Sequence, residues 1–164
     1  MCRRRERGFT LVELLMVVAI IGILSAIAIP NLIAALQRAK QKRTMVSIRN
    51  LATAWEARAS DLSKYNAAGI SGASVPVPLI DLAGELEPTY MKVVPRKDGW
   101  ERDLTCYAEF ALGDAQVAQR YAITSPGRDG IYDPNFTPGV FMNFDCDIIF
   151  ANGQFVTFPQ GSGG

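Results

Sequence analysis

Residues 8–30 read GFTLVELLMVVAIIGILSAIAIP, and this stretch decides the architecture. Between Phe9 and Ile29 the only charged side chain is Glu13. A helix of that length, rising about 1.5 Å per residue, covers roughly 30 Å, the thickness of a bilayer's hydrocarbon core. A helix apolar on every side inside a soluble protein needs a large domain around it, and 164 residues leave too little chain to build one. The residues in front, MCRRRERG, hold four Arg and one Glu; the remainder holds thirteen basic residues against fifteen acidic ones. Arginines just before an apolar span stay in the cytoplasm, which sends the rest of the chain outward. The net charge of +1 therefore conceals a basic leader, and nothing in it points to nucleic acid.

A secretory signal places a small-residue cleavage site after its apolar region. Here the order is charges, Gly8, then the apolar run, which continues through Pro30 into Asn31-Leu32-Ile33. A cut at Gly8 removes the charges and leaves the hydrophobic segment on the product. Gly8-Phe9-Thr10-Leu11-Val12-Glu13, ahead of a long apolar helix, closely resembles the class III signal of type IV pilins and type II secretion pseudopilins. The resemblance covers roughly residues 1–35. It implies cleavage between Gly8 and Phe9 by prepilin peptidase, N-methylation of Phe9, and filament assembly through the helix. A carboxylate this near the membrane costs several kcal/mol unless paired. The resemblance pairs Glu13 with the new Phe9 amine of a neighbouring subunit; contact with lipid headgroups is the other reading. Pro30 removes one helical hydrogen bond, so with Gly22 it marks either a hinge or a plain kink.

Beyond Pro30 the chain turns amphipathic. Ile48, Leu51, Ala52, Trp55, Ala59 and Leu62 follow the spacing of one helical face, with Arg38, Lys40, Lys42, Arg43, Arg49 and Arg58 largely on the remainder. The cations near Arg38–Arg43 read as a solvated face in preference to a phospholipid-facing collar. A helix from Phe9 to about Leu62 is expected. Four regions follow: a leader (1–8), a transmembrane and filament-core helix (9–35), its amphipathic half (36–65), and a globular head (66–164).

Within the head, residues 66–78 read as a flexible connection and Leu79–Met91 as a short helix or two. Thr105–Leu112, Arg120–Thr124 and Phe144–Phe150 are strand candidates, the last with Phe144, Cys146, Ile148 and Phe150 on one apolar face. Asn152-Gly153 then signals a tight hairpin into Gln154–Phe158. The expected fold class is α+β, pilin-like: a long N-terminal helix under a small antiparallel sheet of three or four strands.

Ser125-Pro126-Gly127-Arg128-Asp129-Gly130 and Asp145-Cys146-Asp147-Ile148 resemble the calcium-enclosing C-terminal loop of type II secretion major pseudopilins. The resemblance implies Ca²⁺ held by Asp129 and by Asp145 or Asp147, with backbone carbonyls near Ser125. Carboxylate and carbonyl oxygens suit that ion. The stretch from Gly130 to Asp145 is longer than the family's loop and contains Pro134 and Pro138; a metal-free loop is the alternative. Lys97-Asp98-Gly99-Trp100 looks like that family's Asp-Pro-Trp-Gly turn without its proline. Cys106 and Cys146 form either a disulfide or two buried free thiols.

The chain has no histidine, which removes the usual general base and most zinc sites. The expected function is structural, not enzymatic: a subunit of a type II secretion pseudopilus that polymerises to drive export. The alternative is a major or minor type IV pilin serving adhesion, motility or DNA uptake. A membrane-tethered metal-dependent enzyme using Asp145 and Asp147 is the remote third. The resemblance implies copies of itself, prepilin peptidase, inner-membrane assembly proteins, minor pseudopilins and membrane lipid as partners. It places the chain in a bacterial inner membrane, amino terminus cytoplasmic and head periplasmic, before it enters the filament.

Overall fold

A computed structural model describes residues 8–62, 75–109, 120–133 and 137–160. The long helix α1 (Leu11–Leu62) is followed by β1 (Val75–Val77), α2 (Leu79–Leu86), β2 (Thr105–Ala108), β3 (Tyr121–Ser125), β4 (Gly139–Phe141), β5 (Ile148–Ala151) and β6 (Gln154–Pro159). The chain divides into two units, Met1–Gln37 and Arg38–Gly164.

In the first unit the helix begins two residues later than expected, because Thr10 acts as its N-cap. It runs through Pro30 without a break, and Asn31 Nδ2 donates to the Ile27 carbonyl at 3.1 Å. Leu11, Leu15, Ile20, Leu24 and Ile29 each expose more than half of their surface. Among the described residues α1 is the one helix long and apolar enough to cross a membrane.

The second unit has the core that the first lacks. Ile48, Leu51, Ala52, Trp55 and Ala59 of α1 are buried, as their spacing predicts, together with Leu82 and Leu86 of α2 and Ile123 and Ile148 of the sheet. Burying each large side chain contributes roughly 1.5–3 kcal/mol. Two residues depart from the expected pattern. Leu62 is exposed at the helix end, whereas Arg58 is buried, its guanidinium donating to Glu85 of α2 at 2.5 Å. The buried stripe also extends back to Thr44 and Gln41.

The sheet has six strands in the order β1-β2-β3-β5-β6-β4, with all neighbours antiparallel except β4 and β6. The expected three or four strands are thus exceeded by two short ones. The first, β1, falls in the stretch read as a connection: Pro76 lacks a ladder donor but is tolerated because β1 is an edge. At the other edge lies β4, only three residues long. The Asn152-Gly153 hairpin forms as expected, with both residues at positive φ (49° and 88°). Strand β5 starts four residues later than predicted and is buried throughout, so Phe144, Asp145 and Cys146 lie in bends before it. Residues 110–112 of the Thr105–Leu112 strand candidate lie outside the described residues.

Candidate functional site

Two places in the sequence carry functional expectations, the start of α1 and the loop between β3 and β5. At the helix start, Phe9 is largely exposed and no heavy atom would meet a side chain added at Gly8. The Thr10 hydroxyl donates to Glu13 Oε2 at 2.7 Å and the Thr10 backbone N–H donates to the same oxygen at 3.0 Å. In return the Glu13 backbone N–H donates to Thr10 Oγ1 at 3.3 Å. This is a capping box, and Thr-x-x-Glu ahead of an apolar run is its sequence signature. The reading of Glu13 as an assembly residue passed over that signal. Within one chain its carboxylate ends an otherwise open helix, one turn from Phe9.

The head loop is fastened by a buried carboxylate that the sequence reading valued only as part of a turn. Asp98 is 1% exposed, and its Oδ1 accepts from the backbone N–H groups of Trp100 (2.8 Å) and Arg102 (2.9 Å). Its Oδ2 accepts from the Ser125 hydroxyl at 2.7 Å. Gly99 next to it donates to Thr44 Oγ1 at 2.8 Å and presses on α1 so closely that a methyl group there would overlap the Lys40 carbonyl. The Trp100 and Arg102 contacts are local to the turn, but Ser125 and Thr44 are distant in sequence, so no local pattern announces that the turn is buried.

The residues expected to hold calcium are placed as follows. Ser125 is fully buried and engaged by Asp98. Asp129 Oδ1 accepts from the Ile131 N–H at 3.0 Å. Asp145 spends both oxygens on the Arg128 guanidinium, at 2.6 Å each, which holds its carboxyl below the usual carboxylate range. Asp147 is 5% exposed; its Oδ2 accepts from the Asp133 N–H at 2.9 Å, while among the described residues its buried Oδ1 has no partner. Burial pushes the Asp147 carboxyl up, and the Asp129 and Asp133 charges add to the shift. Among the described residues no three acidic or thiol side chains stand close enough to share one ion. Asp129, Asp133, Asp145 and Asp147 do line one open depression of about 690 Å³ with Ile131, Tyr132 and Val140. Gly127 (φ 66°) makes the loop's closest approach, since a Cβ there would meet the Cys146 carbonyl oxygen at 2.7 Å.

Both head cysteines are free thiols, not a disulfide. Cys106 pairs with Ile123 inside the sheet, where burial pushes its pKa up to about 12. Cys146 lies beyond the strand end, beside Gly127, and is only half-buried. The β3–β5 register, Ser125 opposite Ile148, separates the two along the sheet.

A family model described as the prokaryotic N-terminal methylation motif matches residues 3–29, a range that takes in Gly8, Phe9 and Glu13. This chain carries that prepilin-type motif and resembles type IV pilins and type II secretion pseudopilins. It is similar to the type II secretion system core protein G of Vibrio cholerae, 29% identical over 129 residues that cover 77% of this chain and 86% of that protein. The core protein G of Dickeya chrysanthemi is 28% identical over 150 residues, covering 88% and 86%. The type IV major pilin protein PilA of Myxococcus xanthus is 50% identical over 62 residues, 38% of this chain and only 28% of that pilin's length. No solved structure matches. These relatives are named as pilin and secretion-system proteins, and the apolar length of α1 fits a membrane-anchored subunit of that kind.

Proposed function

We propose that this chain is the major subunit of a type II secretion pseudopilus, drawn from the inner membrane into a homopolymeric filament that drives protein export. The observation that carries this reading is the extent of likeness. The two core G proteins align with the head as well as the helix, over 77% and 88% of the chain, whereas PilA aligns over 38%. In this scheme the arginine-rich leader stays cytoplasmic and the head is periplasmic. Prepilin peptidase cuts between Gly8 and Phe9, Phe9 is methylated, and Glu13 exchanges its Thr10 contacts for the Phe9 amine of the preceding subunit. Minor pseudopilins and the inner-membrane assembly proteins are the remaining partners. Deleting the gene in its own host and comparing secreted protein with surface piliation tests the assignment. Loss of exported enzymes with pili intact is the expected result; loss of pili with normal secretion assigns the chain instead to a type IV pilus, the reading that the strong local identity to PilA favours.

Calcium is a separate proposal, and the orphaned Asp147 Oδ1 supports it. Asp147 and Asp129 are the residues to hold the ion, with backbone oxygens near Ser125; Asp145 joins them only by giving up Arg128. Bound calcium supplies positive charge to a loop rich in carboxylates, which favours the closed head. Binding stabilises by mass action, about 2.7 kcal/mol at a hundredfold excess over the dissociation constant. A higher melting temperature in calcium than in chelator supports the site, and identical melting curves remove it.

A further inference from the structure

Charge in the second unit is segregated along the chain. Residues 38–49 hold five cations (Arg38, Lys40, Lys42, Arg43 and Arg49) and no anion, whereas the chain after Arg49 holds fourteen acidic residues against eight basic ones. Arg49 lies over the Phe155 ring at 5.7 Å. The other four are exposed, and among the described residues none of them forms an ion pair.

We propose that Arg38, Lys40, Lys42 and Arg43 form a binding surface for anionic phospholipid headgroups at the bilayer face from which the head emerges. The proposal rests on the reading of α1 as a membrane anchor, and three observations lead to it. First, the cations follow directly in sequence on the apolar stretch that ends at Leu36, so the chain reaches them where hydrocarbon gives way to phosphate. Second, the opposite face of the same turns is fixed. Gln41, Thr44 and Met45 are buried, and the Lys40 carbonyl is pressed against Gly99, so the helix cannot rotate its cations away. With the side chains pre-set on the outer faces, ordering them against phosphate costs less. Val46, 58% exposed among them, adds an apolar contact suited to the same interface.

Third, the head's own acids are poor candidates to neutralise these cations in a second copy, because several are already committed within the fold. Glu85 pairs with Arg58, Asp145 with Arg128, Asp98 with backbone and Ser125, and Glu87 accepts from the Val94 N–H at 2.5 Å. A lysine or arginine near an anionic membrane surface gains a factor of about five in binding per charge at ordinary ionic strength. An exposed ion pair with a single acid gains at most about as much.

The test uses the full chain reconstituted in phosphatidylcholine bilayers carrying spin-labelled phosphatidylglycerol or spin-labelled phosphatidylcholine at trace level. The fraction of each label immobilised by the protein gives its lipid preference. Phosphatidylglycerol should be preferred several-fold at low salt, and the preference should shrink in about 0.5 M salt, where the screening length falls to a few ångströms. The variant R38Q/K40Q/K42Q/R43Q should lose most of it, whereas R38K/R43K should keep it. Leader arginines are common to all forms, so the difference reads these four positions alone. An unchanged head melting curve shows that the variant folds. A folded quadruple variant with wild-type lipid preference would overturn the proposal. So would normal lipid preference together with loss of filaments, which would assign the cations to a second copy.

Discussion

The residues before and after Gln37 lie on one continuous helix, yet they are built for different surroundings. Up to Leu36 nearly every apolar side chain faces outward: Val12, Leu14, Val18, Ile21 and Ile27 are all more than half exposed. From Gln41 onward one stripe is fully buried and the other faces are charged. Both sections are α-helix, so helicity says nothing about what surrounds a segment. The distribution of apolar residues does: all round for hydrocarbon, one stripe for a protein core.

Substitutions on either side of that division should break different things. The largest effect is expected at Trp55, which is completely buried and packs against the Tyr121 ring, tilted, with centroids 5.2 Å apart. Trp55→Ala should destabilise the head by about 3–5 kcal/mol, read from chemical denaturation of the full chain in detergent. Membrane association should be unchanged. Leu24→Arg, in the other section, should do the reverse. It costs about 2.5–3.5 kcal/mol of membrane insertion and should release protein on carbonate extraction, while the head melts normally. Equal effects of either change on both measurements would abolish the distinction.

Smaller changes sharpen it. Thr10→Ala removes the capping box, worth about 1 kcal/mol, so amide exchange over Leu11–Glu13 should speed several-fold with no effect on the head. The smallest effects are those of pH, which should act through the head. Asp145 has a depressed pKa, so its contribution is present above the unfolded value of about 3.9 and lost as pH falls through the folded one. Asp147 is raised, so it opposes this: its contribution is present in acid and lost as pH rises through its folded pKa. Asp145→Asn should therefore flatten the acid limb of a melting-temperature profile. Asp147→Asn, measured without calcium, should raise stability near neutral pH. A loss of stability there would mean that the buried carboxylate has a cation partner.

How much was legible in the sequence follows from how local each signal is. The membrane helix, the Ile48–Ala59 stripe and the Asn152-Gly153 hairpin depend on spacing within a few residues, and all three formed as read. Arg58 appeared solvated because its partner, Glu85, lies on another helix. Strand β1 was hidden by Pro76 and Pro78, which look like loop residues until β2 is seen beside them. Strand β5 departed from two-fold alternation because it is covered on both faces. At the loop, sequence brought Asp129, Asp145 and Asp147 together in the right neighbourhood. It could not assign Asp145 to Arg128, or leave Asp147 with a bare oxygen, since both depend on how the bends around Gly127 close.

The seat of Gly99 on the Lys40 carbonyl has a practical consequence for anyone shortening the protein. Thr44 accepts the Gly99 N–H and itself donates to Lys40 at 3.0 Å, so this turn of what looks like tether belongs to the folded head. A soluble fragment begun at Arg38 keeps that floor beneath Asp98 and Ser125. One begun at Met45 discards it, leaving a glycine shaped for a neighbour that is no longer there.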